Sequence, residues 1–132
     1  HPVKSTLSIC TPSIDLGKFS FSLAVADVQK SRTFYEGLGF EAYDDHQSEN
    51  WLIMKNGETT LGLFQGMFEE NILSFHPSDV RAAHKAIEAN GVEIMSAPQG
   101  DDGPAHMMLK DPDGNLVMLD QIDPNYVPTS QK

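Results

Sequence analysis

A chain of 132 residues carries a formal net charge of -10, 39% apolar residues and a single cysteine. Such a length is one ordinary domain, and the apolar share suits a globular protein with a core. The acidity, with no basic cluster, argues against nucleic acid and membrane surfaces as partners, no run reaches the ~18 apolar residues of a membrane span, and one cysteine excludes an internal disulfide. The opening stretch, HPVKSTLSIC, lacks the charged-then-apolar pattern of a signal peptide, so a cytoplasmic protein is expected. Cys10 reads as a small inert hydrophobe. It lies in an N-terminal arm, residues 1–18, which alternates enough to add an edge strand or reach a partner subunit.

From residue 19 the elements follow a repeated grammar. A short apolar strand, 19–25, leads to Asp27, placed to cap a helix with its carboxylate. Val28, Ser31, Tyr35 and Leu38 recur at helical spacing, and Gly39 stands where a helix ends in a left-handed residue. A strand, FEAY, and a polar loop, DDHQSEN, follow. WLIM and TTLGLF then flank KNGE, whose Asn-Gly is a hairpin signal. The pattern recurs from residue 72: strand 72–76, Asp79 as cap, Val80, Ala83 and Ile87 on one helical face, Gly91, then VEIM and the loop PQGDDGPA. HMMLK and NLVMLD close the second copy around DPDG, good turn chemistry. Ser22 aligns with Ser74, Asp27 with Asp79 and Gly39 with Gly91, an offset of 52 residues without a gap. An internal repeat redefines the folding unit. Each half reads strand–helix–strand–strand–strand, giving module one at about 19–66 and module two at about 71–122. Eight strands and two helices are expected in an α+β domain, and the tail from 123 to 132, with its prolines, reads as a frayed end.

The segments LAVADVQKSRTFYEGLGF and LKDPDGNLVMLDQ, with the paired βαβββ repeat, resemble the vicinal oxygen chelate superfamily. That group includes glyoxalase I, extradiol dioxygenases, and fosfomycin and bleomycin resistance proteins. The resemblance covers roughly residues 19–121 and implies two βαβββ modules forming a curled mixed sheet around a shared cavity. It also implies a divalent ion in metal-dependent members, held from four equivalent places. Two of these lie seven residues before the capping Asp of each module, here Ser20 and Ile72. Two lie in the last strand of each module, here Gly62 and Met118. A hard ion needs carboxylate or imidazole donors, and none of these four residues supplies one. No cofactor is therefore expected, and the implied carry-over stops at fold and cavity.

Strand alternation then suggests the cavity lining. With Ser20 and Ile72 inward, Ser22, Ser74 and His76 follow; with Met118 inward, Asp120 follows. His106 and Met108 are placed inside by analogy with the fosfomycin-type members, and Trp51 lies on the matching strand of module one, its direction open. A mostly apolar lining with a few polar groups is the make-up of a small-molecule site. The favoured expectation is a metal-free module that binds an amphipathic or aromatic small molecule, as a homodimer of the kind the resemblance implies. The alternative is a glyoxalase-like lyase or isomerase using His76, His106 or Asp120, with or without a displaced divalent metal. His46, beside Asp44 and Asp45, and His84, on the second helix, read as solvated.

Overall fold

The computed structural model describes residues 13–132, so Cys10 and the rest of residues 1–12 lie outside it. Seven strands form one sheet: β1 (Lys18–Val25), β2 (Glu41–His46), β3 (Trp51–Asn56), β4 (Thr59–Gln65), β5 (Ile72–His76), β6 (Ala105–Lys110) and β7 (Leu116–Gln121). Their spatial order is β2-β3-β4-β1-β5-β7-β6, a curled sheet that does not close. Helix α1 (Val28–Glu36) follows β1, and α2 (Val80–Ala89) follows β5. Among the described residues, no helix is long and apolar enough to cross a membrane.

Each helix begins as the sequence directs. The Asp27 carboxylate accepts from the Lys30 amide at 3.1 Å and the Asp79 carboxylate from the Ala82 amide at 3.0 Å. A second cap arrives from far along the chain. The side-chain oxygen of Gln65, at the end of β4, accepts from the Val28 amide, and that of Gln121, at the end of β7, accepts from the Val80 amide. Each module thus ties its last strand to the start of its own helix, using amides the helix cannot satisfy internally. At the other end Gly39 (φ 97°) and Gly91 (φ 79°) adopt the left-handed conformation, and the next amides, of Phe40 and Val92, reach back to Tyr35 and Ile87. That is the helix-ending motif glycine permits.

Both helices pack on the same face of the sheet. Val28 of α1 packs with Leu52, Met54 and Leu63, and Val80, Ala83 and Ile87 of α2 pack with Met107, Leu109 and Leu119. Successive strand residues point to opposite faces, so the partners of these core residues, such as Trp51, Ile53 and Phe64, turn to the inner face. At the centre β1 pairs antiparallel with β5, Ser20 opposite Ser74 and Ser22 opposite Ile72. The repeat exchanges these two pairings, so a pseudo-two-fold axis passes between Ser22 and Ser74. Their hydroxyls meet there at 2.8 Å, with Ser74 fully buried.

Three expectations need correction. VEIM forms no strand: module two keeps one bridge, Ser96 to Met108, so among the described residues the sheet has seven strands and not eight. Pro98 follows at once and cannot donate to a ladder. Arg81 instead gathers the loop beyond, donating to the carbonyls of Gln99, Gly100, Asp102 and Gly103. The loop expected at 44–50 is strand as far as His46, then a 3-10 turn at Gln47–Glu49. The tail does not fray: its own 3-10 turn, Thr129–Gln131, docks beside β2, and Thr129 Oγ1 accepts from the Asp45 amide at 2.7 Å.

The Ser22–Ser74 pair yields a stability cycle. Each buried hydroxyl is left without its partner when the other is removed. Ser22→Ala and Ser74→Ala should each cost about 1–2 kcal/mol in urea unfolding. The double variant should cost less than the sum by roughly 1 kcal/mol; strict additivity would show that the two hydroxyls do not support each other.

Candidate functional site

Among the described residues no helix lies on the inner face, which borders a hollow of about 810 Å³. Its central floor is Ser20, Ser22 and Met118, from β1 and β7. One wall is aromatic. Trp51 on β3 and Phe64 on β4 are cross-strand neighbours, with ring centroids 6.0 Å apart and planes 10° apart. His46, opposite Trp51 on β2, stacks on it at 4.2 Å and 10°, so three rings stand in a rank across three strands. Phe68 extends the rank, 5.3 Å from Phe64.

A bulge in β2 supplies the outer wall. The register with β3 slips between Ala42 and Asp44, leaving Tyr43 as an extra residue. A bulge of this kind lets two consecutive side chains serve one face, and both Tyr43 and Asp44 border the hollow. The Lys55 ammonium sits 4.2 Å over the Tyr43 ring. Opposite, the tail crosses from β7 back to β2 and brings Ile122, Tyr126 and Pro128 to the entrance.

Asp44 latches the tail. Its carboxylate is buried and accepts from the Tyr126 hydroxyl at 2.7 Å, the Thr129 amide at 3.0 Å and His46 Nε2 at 2.9 Å. Burial alone would raise its pKa, but the bonds from Tyr126, Thr129 and His46 outweigh that and hold it below the ordinary carboxylate value. His46 is under the opposite influence. Desolvation disfavours its charge, yet hydrogen bonds to Glu49 and Asp44, with the attraction of both carboxylates, raise its pKa. Tyr126 is pushed up to about 12, first by its bond to Asp44 and then by burial.

The residues expected at the site separate into three groups. Ser20, Ser22, Trp51, His76, Met118 and Asp120 border the hollow. Ile72, Ser74 and Gly62 face the same way but lie beneath it: Ile72 and Ser74 are buried, and Gly62 is roofed by the Phe64 ring. His106 and Met108 stand opposite Asp120 and Met118 in register, but neither borders the hollow. His46, read as solvated, is instead a central contact of the tail. His84 rides α2, 3.9 Å from Glu88.

The three groups of the alternative reading meet only through the main chain. His76 Nδ1 contacts the Asp120 carbonyl at 3.0 Å, and His106 stands across from Asp120. Among the described residues, no three His, Cys, Asp or Glu side chains are placed to hold a metal ion. The four places that hold the ion in metal-dependent relatives do not fit it here. The Ser20 hydroxyl is engaged by His76 Nε2 at 3.0 Å, Ile72 and Met118 offer no hard donor, and a side chain at Gly62 would begin 2.5 Å from the Phe64 ring.

The comparisons with known proteins agree with this fold. The sequence pattern of the Glyoxalase/Bleomycin resistance protein/Dioxygenase superfamily matches residues 18–119. The chain belongs to that superfamily. It is 27% identical to the uncharacterized protein YetH of Bacillus subtilis (strain 168), over 72% of this chain and 89% of that protein. Its fold is that of a superfamily member from Vibrio splendidus 12B01, with a TM-score of 0.62, 18% identity, and coverage of 79% of this chain and 97% of the other. A methylmalonyl-CoA epimerase from Mycobacterium tuberculosis shares the fold with a TM-score of 0.59 and 14% identity, over 86% and 94% of the two chains.

The latch gives tail docking a defined pH range. The groups that raise His46, Glu49 and Asp44, both lie outside the tail, so docking is linked to pH through Asp44. Asp44, lowered below 3.8, contributes above that value and loses it as pH falls through the lowered pKa. Hydrogen-exchange protection of the Thr129 amide should therefore be level above pH 3.8 and fall as pH drops through the lowered Asp44 pKa. Tyr126→Phe should lower it throughout.

Proposed function

We propose that the hollow is a metal-free binding site for a planar aromatic or amphipathic small molecule. The observation that carries this reading is the lining itself. A rank of aromatic rings at Trp51 and Phe64 walls a floor made of a methionine, Met118, and a few hydroxyls. Apolar walls give affinity, a few fixed polar groups give orientation, and a thioether adapts to irregular shapes. The open volume suits a molecule of drug-like size.

A second reading has one observation in its favour. His76 borders the hollow with its ring held from both sides, by Ser20 and by the Asp120 carbonyl. A lyase or isomerase that moves a proton would use this imidazole. His76→Ala would then abolish turnover and leave binding in place.

Trp51 is the one tryptophan of the chain, so its emission reports on the hollow without labelling. Titration with N-phenyl-1-naphthylamine, a neutral aromatic dye, should quench Trp51 and brighten the dye with one-to-one saturation. A hundredfold excess over Kd should stabilise the fold by about 2.7 kcal/mol. Phe64→Ala should weaken binding about fivefold, the loss of an aromatic contact worth ~1 kcal/mol. Dye binding that is absent, or indifferent to Phe64, would remove the basis of the proposal.

A further inference from the structure

The polar end of the hollow has a fixed sense of hydrogen bonding. A carbonyl oxygen accepts and never donates. The Asp120 carbonyl, 3.0 Å from His76 Nδ1, therefore places the hydrogen of the neutral imidazole on that nitrogen. Nε2 is left with its lone pair, and the contact at 3.0 Å to Ser20 Oγ is then a bond donated by the serine hydroxyl. Ser20 has spent its one hydrogen on His76. What it turns to the hollow, which it borders, is an oxygen with lone pairs alone.

The neighbouring groups reinforce this bias. The Asp120 carboxylate also borders the hollow, and among the described residues no side chain or amide donates to it. Asp15 lies at the same end, on the segment whose Gly17 packs against the His76 carbonyl. Among the described residues, the one cation there is Lys18, opposite His76 on β1, exposed at the rim and outnumbered by the two carboxylates. Deeper in, the Ser22 and Ser74 hydroxyls bond to each other, either one able to donate. Acceptors therefore dominate the end of a chamber whose far wall is aromatic.

We infer that the ligand of this hollow is an aromatic compound bearing a hydrogen-bond donor, a phenolic hydroxyl or an aromatic amine, which packs against Trp51 and Phe64 and donates to Ser20 Oγ. The inference rests on the binding reading above and adds the chemistry of the ligand. The donor is required because a buried acceptor facing an apolar or acceptor-bearing group loses its water without replacement. Ser20 is the positioned acceptor, and His76 acts through it by holding its hydrogen away from the ligand.

Displacement of N-phenyl-1-naphthylamine by two matched compounds tests this. 2-Naphthol carries the donor; 2-methoxynaphthalene keeps the ring and the oxygen but has no donor. The native protein should prefer 2-naphthol about tenfold, the worth of one hydrogen bond. Ser20→Ala should bring the two affinities together by weakening 2-naphthol alone. Ser20→Thr, which keeps the hydroxyl, should retain the preference. If both compounds displace the dye equally well from the native protein, or if Ser20→Ala leaves the preference intact, the inference falls while the binding reading stands. If the dye itself does not bind, both fall together.

Discussion

The structure depends on one constraint: both helices cover the same face of the sheet. A strand exposes alternate residues to opposite faces. Once α1 and α2 draw Leu52, Met54, Leu63, Met107, Leu109 and Leu119 to one side, every intervening side chain must turn to the other. Among the described residues no further layer covers that inner face, so the curl of the sheet makes it a chamber. The halves are joined where β1 meets β5, and the Ser22–Ser74 bond marks the axis that relates them. Apolar residues there would fill the floor from the centre outward. Two small hydroxyls satisfy each other in little volume, and among the described residues no buried side-chain polar atom lacks a partner.

What the sequence made legible was local. Capping aspartates, left-handed glycines and hairpin turns act within a few residues, and all three recur in both copies, so the repeat could be read and the fold class with it. The missed features are set by distant contacts. Gln65 and Gln121 carry no mark showing that they cap helices 37 and 41 residues away. The tail looked unstructured because its partners, Asp44 and Asp45, lie 82 to 85 residues earlier. The bulge at Tyr43 breaks the alternation that would have located it, and VEIM has strand composition but forms no strand, with only Ser96 beyond it bridging to Met108. One trace was available: the last strands match at an offset of 56, not 52, as Gly62 and Met118 show by pairing with Ser22 and Ser74.

The substitutions at the family's metal positions are connected rather than scattered. Gly62 has no side chain, and Phe64 two residues on lays its ring over the vacated space. Met118 adds apolar bulk from the matching strand of the other module. Ser20 binds His76, a residue one register step outside the family's positions, and Ile72 closes the floor beside Ser22. Each replacement either exchanges a donor for apolar surface or commits it to a protein partner. A divalent ion brought here would lose water ligands without receiving hard donors in return.

Trp51 connects the latch to the chamber. β3 lies between β2 and β4, so its indole meets His46 on one flank and Phe64 on the other. His46 holds Asp44 and approaches the Tyr126 hydroxyl at 3.1 Å, and Tyr126 in turn borders the entrance. Moving the indole from within the chamber therefore disturbs the stack that steadies the latch, and releasing the tail removes part of the wall that a ligand would touch. Coupling between two such equilibria is reciprocal by thermodynamic necessity. A ligand that binds the docked form better must tighten the tail by the same factor by which the docked tail tightens the ligand.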